Sequence, residues 1–171
     1  MLAPLGVSLV RQAELGIPEA EEPYRTFVEN ALAKARHAAR LSGLPALADD
    51  AGLCVDAFGG LPGVDTAYYA TQFGYDKSDD NNVRALLEQL KGQPNRRAAL
   101  VSTLVAVRSP DDPEPLISQG RVVGEIVREP RDAVVQSRVG THQSIQEGLV
   151  FRIHLGVGLL HQDEAAAHLP A

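Results

Sequence analysis

Residues 45–55 read PALADDAGLCV, and this stretch decides how the chain is organised. The apolar residues 45–48 fit a short buried strand, and an extended pattern resumes at residues 51–55. Between them stand Asp49 and Asp50, which the pattern places at the end of the first strand. Carboxylates beside a buried strand cost free energy unless they bind a partner. We therefore predict a functional role for the aspartate pair.

The segment before this stretch has the pattern of a helix. Residues 26–29 read TFVE, which is the spacing of a capping box and predicts a helix start. The helix is expected to end at Ser42, because Gly43 suits the left-handed conformation that follows many helices. Its apolar residues share one side, while Asn30 and Lys34 lie one turn apart on another side.

Further elements are predicted along the rest of the chain. They are an extended segment at 6–12, a glycine-rich loop at 59–63, a second helix from a cap at Asp79 or Asp80 to Lys91, a central strand at 97–108, and extended segments at 116–117 and 121–127 separated by glycine bends. No composition shift divides the chain, so we expect one globular domain.

Composition narrows the possible partners and the compartment. The chain has 171 residues, of which 44% are hydrophobic, and a net charge of −6. This charge argues against a nucleic acid polymer as partner, whereas a nucleotide held through a cation and lysines is compatible. No apolar run approaches the roughly 18 residues that span a bilayer. We expect a cytoplasmic protein with no membrane partner, and we interpret its single cysteine, Cys54, as a buried thiol.

Several charged residues together have the composition of a metal and phosphate site. Carboxylate oxygens suit Mg²⁺, which takes further ligands from substrate phosphates, and a nearby lysine neutralises phosphate charge. A carboxylate beside the cation can also accept a proton from an attacking water, as hydrolysis of a phosphoanhydride requires. The members of this set are Glu21, Glu22, Glu29, Asp49, Asp50 and Lys34.

Most members of this set also have a purely structural interpretation. Glu29 completes the capping box, and Glu21 and Glu22 fit solvated acids in a loop. Lys34 fits an exposed helix face. The residues alone do not decide between these structural roles and a role in the site. A structural role is the weakest explanation for the aspartate pair.

Three motifs in this part of the chain match one known family. They are TFVENALAKA at residues 26–35, GLPALADDAGL at 43–53 and GGLPGV at 59–64. In this order they resemble the inosine triphosphate pyrophosphatases, also called Ham1-like or dITP/XTP pyrophosphatases, and the likeness extends over residues 2–131. The resemblance implies an α/β fold with an elongated mixed β-sheet, flanking helices and two lobes around a cleft, and it implies a homodimer.

The resemblance also implies an activity. Family members use Mg²⁺ to hydrolyse non-canonical purine nucleoside triphosphates such as ITP, dITP and XTP to the monophosphate and pyrophosphate. Carried onto this chain, Asp50 binds metal and accepts a proton. Glu22 and Asp49 serve the metal site, and Lys34 contacts phosphate. Ala51 stands where family members often have Ser or Thr, so we expect only a backbone contact to substrate there.

Both ends of the chain depart from the family pattern. The family's first strand and its Thr/Ser-x-Asn-x-x-Lys phosphate loop have no counterpart before Gly6, and its base-recognition motifs have none after Val127. We therefore predict a family domain at 1–131 without the first strand and phosphate loop, followed by a non-matching segment at 132–171. A frameshift that converts the family's Trp-Asp-Pro into GTH at 140–142 is one hypothesis for this change.

These departures leave two alternatives to an active pyrophosphatase. One is a catalytically impaired or inactive remnant of the family that acts at most as a binding or dimerising module. The other is a nucleotide pyrophosphatase of the Maf type, which shares the architecture. The sequence DDAGL at residues 49–53 favours the first family over the Maf type.

Overall fold

The structure is a computed structural model that describes residues 9–129 and the backbone of a short strand at 151–153. Within these residues it has two α-helices, α1 (Phe27–Ser42) and α2 (Asp79–Gln89). The strands are β1 (Ala46–Val55), β2 (Pro62–Gly63), β3 (Arg97–Val107), β4 (Leu116–Ile126) and β5 (Phe151–Ile153). Short 3-10 helices cover Gln12–Leu15, Asp56–Phe58 and Thr66–Phe73. The predicted α/β class, a sheet with flanking helices, is confirmed.

One sheet organises these elements, with the strand order β2-β1-β3-β4-β5. The central position predicted for residues 97–108 is confirmed by β3. A mixed sheet was expected, but every pair within the described residues is antiparallel. Antiparallel neighbours such as β3 and β4 need only a short connection, which residues 108–115 supply. From the predicted segment 132–171, β5 pairs with the end of β4, and the rest lies outside the described residues.

Helix α1 covers one face of the sheet and has the predicted ends. Thr26 Oγ1 accepts a hydrogen bond from the Glu29 N–H (3.4 Å) and donates one to the Glu29 carboxylate (2.5 Å). Gly43 follows the last turn with a φ of 70°. The helix packs through small buried side chains, Ala31, Ala35 and Ala39, against Val105 and Val107 of β3. This close packing brings the longer side chains of α1 within reach of β1.

Helix α2 and the 3-10 helix at Thr66–Phe73 cover the opposite face. Side chains of adjacent strand residues alternate between the two faces, so Leu53 and Val55 point away from α1. They form the larger core cluster with residues of α2, β3 and the 3-10 helix, including Tyr69, Ala70, Leu86, Leu90 and Ala98. This 3-10 helix was not predicted from the sequence. Across the described helices, none is long and apolar enough to cross a membrane.

The predicted ends of α2 need correction. Ser78 caps the helix, rather than Asp79 or Asp80, because its side chain accepts a hydrogen bond from the Asn81 N–H (3.2 Å). The two aspartates lie in the first turn, where negative charge is favourable next to the positive end of the helix dipole. The helix ends at Gln89, two residues before the predicted end at Lys91.

Three predicted strand boundaries are also wrong. β1 continues through Asp49 and Asp50, because α1 supplies polar partners for Asp50 inside the strand. β4 likewise runs through Gly120 without a break in its register with β3. Residues 9–11 of the strand predicted at 6–12 are not extended into a sheet, and no described strand pairs with them.

Gly52 marks a very close approach between β1 and the glycine-rich loop. A Cβ at this position would collide with the carbonyl oxygen of Gly63 and would lie 2.7 Å from Thr66 Oγ1. Thr66 Oγ1 accepts a hydrogen bond from the Leu53 N–H (2.8 Å) and donates one to the Gly63 carbonyl (2.6 Å). The loop is thereby fixed against the strand, and no room remains for a side chain.

The loop between β3 and β4 folds around Asp112. Its carboxylate, only 2% exposed, accepts hydrogen bonds from the Arg108 guanidinium (2.6 and 2.9 Å) and from the backbone N–H groups of Arg108 (2.8 Å) and Glu114 (3.0 Å). The bonds from the Arg108 guanidinium, followed by those from the backbone, hold the pKa of Asp112 well below its usual range. The Asp112 carbonyl also accepts a bond from Arg36 of α1 (3.3 Å).

Replacing Gly52 with alanine is expected to lower the free energy of unfolding by about 1–3 kcal/mol, because the backbone of the loop must shift. Gly120→Ala is the matched control, since Gly120 also lies inside a strand but a Cβ there meets no atom within 4 Å. Alanine restricts the unfolded chain, so the control should be neutral or slightly stabilising. Urea unfolding measures both, and equal stability of the two variants would contradict the packing argument.

Asp112→Asn is expected to destabilise the protein at neutral pH and to have little effect in acid. The pKa of Asp112 is lower in the folded protein than in the unfolded chain, where it is about 3.9. The ionised carboxylate therefore stabilises the fold fully at pH values above about 3.9. That stabilisation is lost as the pH falls through the folded pKa. Urea unfolding at several pH values should therefore show a constant difference between about pH 7 and 5 that shrinks below about pH 4. A difference that grew on acidification would refute this role.

Candidate active site

The side chains of Glu22, Lys34 and Asp50 meet beside β1. Lys34 Nζ lies 2.8 Å from Glu22 Oε2 and 3.0 Å from Asp50 Oδ1, and it donates a hydrogen bond to the Asp49 carbonyl (3.1 Å). Glu22 comes from the segment before α1, Lys34 from α1 itself and Asp50 from β1. The structure thus brings together three of the residues that the sequence predicted for one site. We call these three residues the acid–lysine cluster.

Asn30 joins the acid–lysine cluster, although no role was predicted for it from the sequence. It is 1% exposed, and its Nδ2 donates hydrogen bonds to Asp50 Oδ2 (3.2 Å) and to the Tyr24 carbonyl (3.3 Å). Its Oδ1 accepts a bond from the Tyr24 N–H (3.1 Å). The available signal was its spacing from Lys34, because residues four apart lie on the same helix face.

Burial determines the electrostatics of the cluster. Asp50 is 7% exposed, and burial raises the pKa of its carboxyl even though Lys34 and Asn30 donate hydrogen bonds to it. Burial alone would lower the pKa of Lys34, but the hydrogen bonds from its ammonium to Glu22 and Asp50 outweigh that effect and raise the pKa. When all three groups are ionised, two negative charges share one positive charge. The cluster therefore retains negative charge that another cation can neutralise.

Asp49 and Ala51 flank Asp50 and lie on the other side of the strand. The register of β1 with β3 is continuous from Ala46 to Val55, so the side chains of Asp49 and Ala51 point to the face opposite Asp50. Asp49 reaches the cluster through its carbonyl oxygen, which accepts the bond from Lys34. A metal role for the Asp49 carboxylate and a substrate contact at Ala51 remain predictions.

The other residues considered for the site have local roles or positions. Glu29 forms the capping box with Thr26, which confirms its structural interpretation. Glu21 is exposed, as a solvated loop acid would be. Cys54 is a free, half-buried thiol whose pKa is raised by burial, so little thiolate forms at neutral pH.

The acid–lysine cluster has the donor set of a hard cation. Among residues 9–129, no three His, Cys, Asp or Glu side chains group in a way that could hold a metal. Mg²⁺, however, is commonly held by one or two carboxylates while waters and substrate phosphates supply its other ligands. The Asp50 carboxylate accepts one side-chain hydrogen bond at each oxygen and has lone pairs left. Glu22 and Asp50 therefore fit Mg²⁺ as ligands.

Comparison with known proteins identifies close relatives. Residues 1–135 match the model of the Ham1 family. The chain is 80% identical over 130 residues to a protein of Albidiferax ferrireducens named dITP/XTP pyrophosphatase, in a match that covers 76% of this chain and 65% of that protein. A protein of the same name from Delftia acidovorans is 60% identical over 168 residues, or 98% of this chain and 80% of the relative.

A solved structure supports the same relationship. The nucleoside-triphosphatase or dITP/XTP pyrophosphatase of Mycobacterium abscessus is 34% identical and superposes with a TM-score of 0.67, over 91% of this chain and 75% of that one. The chain spans just under two thirds of the length of the Albidiferax relative, since the match covers 65% of it.

Removing the Lys34 ammonium is expected to destabilise the fold at neutral pH. Lys34→Met keeps the apolar stem but leaves Asp50 without its cation, at an expected cost of roughly 1–3 kcal/mol in the free energy of unfolding. Adding Asp50→Asn to this variant removes the uncompensated charge and should restore part of the loss. Urea unfolding of the parent, both single variants and the double variant measures the coupling.

Lys77→Met serves as the control for the loss of one lysine charge, because Lys77 lies over the Tyr68 ring and forms none of the described salt bridges. It should change stability much less than Lys34→Met. Strictly additive effects of the Lys34 and Asp50 substitutions would mean that the two side chains do not stabilise each other.

Proposed function

The chain belongs to the Ham1 family, and from this premise we propose that it hydrolyses non-canonical purine nucleoside triphosphates, namely ITP, dITP and XTP, to the monophosphate and pyrophosphate. The relatives named dITP/XTP pyrophosphatase support the reaction and the choice of base. The single observation that carries the proposal in this chain is the convergence of Glu22 and Asp50 on Lys34. Two carboxylates and an ammonium at one point suit a triphosphate that arrives with a divalent cation.

In the proposed mechanism Asp50 accepts the proton of the attacking water. Its raised pKa makes it a better proton acceptor than an exposed aspartate. Lys34 is held in the charged form by its raised pKa and provides positive charge for the phosphates. Water loses its proton to Asp50, its oxygen bonds to phosphorus, and the bond between the α and β phosphates breaks to release pyrophosphate.

We propose that Mg²⁺ is the cofactor and that Glu22 and Asp50 hold it. When bound, the ion neutralises phosphate charge and polarises the reacting phosphoryl group. The residual negative charge of the acid–lysine cluster supports this choice, as does the preference of Mg²⁺ for oxygen ligands. The Asp49 carbonyl helps by keeping Lys34 beside the site. At Ala51, which has no hydroxyl, only the backbone remains for a substrate contact.

We further propose that the protein is a cytoplasmic homodimer without a membrane or nucleic acid polymer as partner. The resemblance of its motifs to the family supports the dimer. The net charge of −6 weakens any interaction with a phosphodiester backbone.

Pyrophosphate release is expected from ITP, dITP and XTP but not from ATP, and only when Mg²⁺ is present. Asp50→Asn should lower kcat by about 10²-fold or more, because an amide does not accept the proton from water. The matched control is Asp56→Asn, which removes a carboxylate that is 41% exposed and whose one ion pair among the described residues is with Arg97 (3.6 Å). This control should keep the parent rate.

Each other outcome of this assay rejects a specific part of the proposal. A parent chain that releases no pyrophosphate from any of these substrates would overturn the activity and favour the inactive remnant. Equal release from ATP would overturn the base preference. Equal rates for Asp50→Asn and the parent would mean that the reaction takes place elsewhere.

A further inference from the structure

Asn30 and Lys34 donate hydrogen bonds to the two oxygens of the Asp50 carboxylate. Asn30 Nδ2 donates to Oδ2 at 3.2 Å, while Lys34 Nζ donates to Oδ1 at 3.0 Å. The last torsion of an aspartate has a broad energy profile, so packing alone does not fix the plane of its carboxylate. Two donors on separate oxygens do fix it. Since both donors lie on the same face of α1, the helix determines how Asp50 is oriented.

Asn30 also holds the chain segment that carries Glu22. Its amide forms two hydrogen bonds with the backbone of Tyr24, one to the N–H (3.1 Å) and one to the carbonyl (3.3 Å). Tyr24 is two residues after Glu22, so these bonds restrict the position of the Glu22 backbone. A single buried amide thus links the two segments that supply the carboxylates of the acid–lysine cluster.

Asn82 provides an internal comparison for this arrangement. Asn30 and Asn82 are each the fourth residue of an α-helix. Asn82 Oδ1 accepts a hydrogen bond from the Ala70 N–H (2.8 Å), and its Nδ2 donates one to the Ala67 carbonyl (3.1 Å). Both asparagines therefore tie a preceding backbone segment to their helix. Only Asn30 has an additional bond to a carboxylate among the described contacts, and that bond separates its role from a purely structural one.

We propose that Asn30 is a positioning residue for hydrolysis, which orients the Asp50 carboxylate relative to the segment that carries Glu22. This inference rests on the proposed pyrophosphatase function. Asn30 touches neither water nor phosphate in this role, and it acts through Asp50. Misplacement of a reacting group by about 1 Å can cost on the order of 10²-fold in rate, so the loss of this orientation should be visible in kcat.

The test uses Asn30→Asp, which separates the two functions of the amide. The new carboxylate keeps an acceptor for the Tyr24 N–H, but its second oxygen replaces the donor that faces Asp50 and the Tyr24 carbonyl. With ITP and Mg²⁺, kcat should fall by at least about tenfold, while the KM for ITP should stay within about threefold because Lys34 is unchanged. Amide exchange measured by NMR without nucleotide should show the Tyr24 N–H still protected.

Two further variants complete the experiment. Asn30→Ala removes both functions and should lower kcat and also expose the Tyr24 N–H to exchange. Asn82→Asp makes the same chemical change at the same helix position, but the described hydrogen bonds of Asn82 go to backbone groups and not to a carboxylate, so this variant should keep the parent kcat and KM. Asn82 is half-buried, and the thermal stability of this variant corrects for the cost of replacing an asparagine that ties a backbone segment to its helix.

The outcomes distinguish this inference from the proposed function. A parent chain with no pyrophosphate release overturns both. An active parent together with a parent-like kcat in Asn30→Asp overturns the positioning role alone, as does an equal fall of kcat in Asn82→Asp. If the Tyr24 N–H loses its protection from exchange in Asn30→Asp, the lower kcat of this variant would come from a displaced segment rather than from a misoriented Asp50. If only KM changes, the substitution affects substrate binding. Either result rejects the inference.

Discussion

The ammonium of Lys34, shared between Glu22 and Asp50, is the interaction on which the site depends. It allows an aspartate with 7% exposure to stand inside a strand that also carries core residues. Without that cation the buried carboxylate would cost roughly 1–3 kcal/mol of folding free energy. The contact requires α1 to lie close to the sheet, which the buried alanines at 31, 35 and 39 make possible. The contacts of the acid–lysine cluster therefore depend on the packing of these small side chains.

Local signals in the sequence predicted what local interactions determine. The boundaries of α1 follow from Thr26, Glu29 and Gly43, whose contacts involve neighbours in the chain. The continuity of β1 could not be predicted in this way, because it depends on partners that Asp50 finds on α1, 16 and 20 residues away. Asn30 was missed for the same reason. Its spacing from Lys34 was visible, but the register that places Asp50 opposite both residues arises only in the folded chain.

The proposed roles of the site residues came from the resemblance, and the structure adds a physical argument for the role proposed for Asp50. Burial destabilises the ionised form of Asp50 and so raises its pKa. The same effect makes the Asp50 carboxylate a stronger proton acceptor. The fold thus accepts an energetic cost at the position where the proposed mechanism needs a proton acceptor, a balance found at many active sites. Asp112 shows the contrasting case. Its bonds lower its pKa and serve only to hold a loop together.

Gly52 has a consequence for the chemistry, although it carries no side chain. Asp49 and Asp50 are neighbours of identical type, and a slip of one residue in β1 would exchange them between the faces of the sheet. Such a slip would bring Ala51 or Leu53 to the place where the Gly63 carbonyl leaves no space for a Cβ. The glycine therefore acts as a register lock. It ensures that, of two chemically equal aspartates, the one that faces Lys34 is always Asp50.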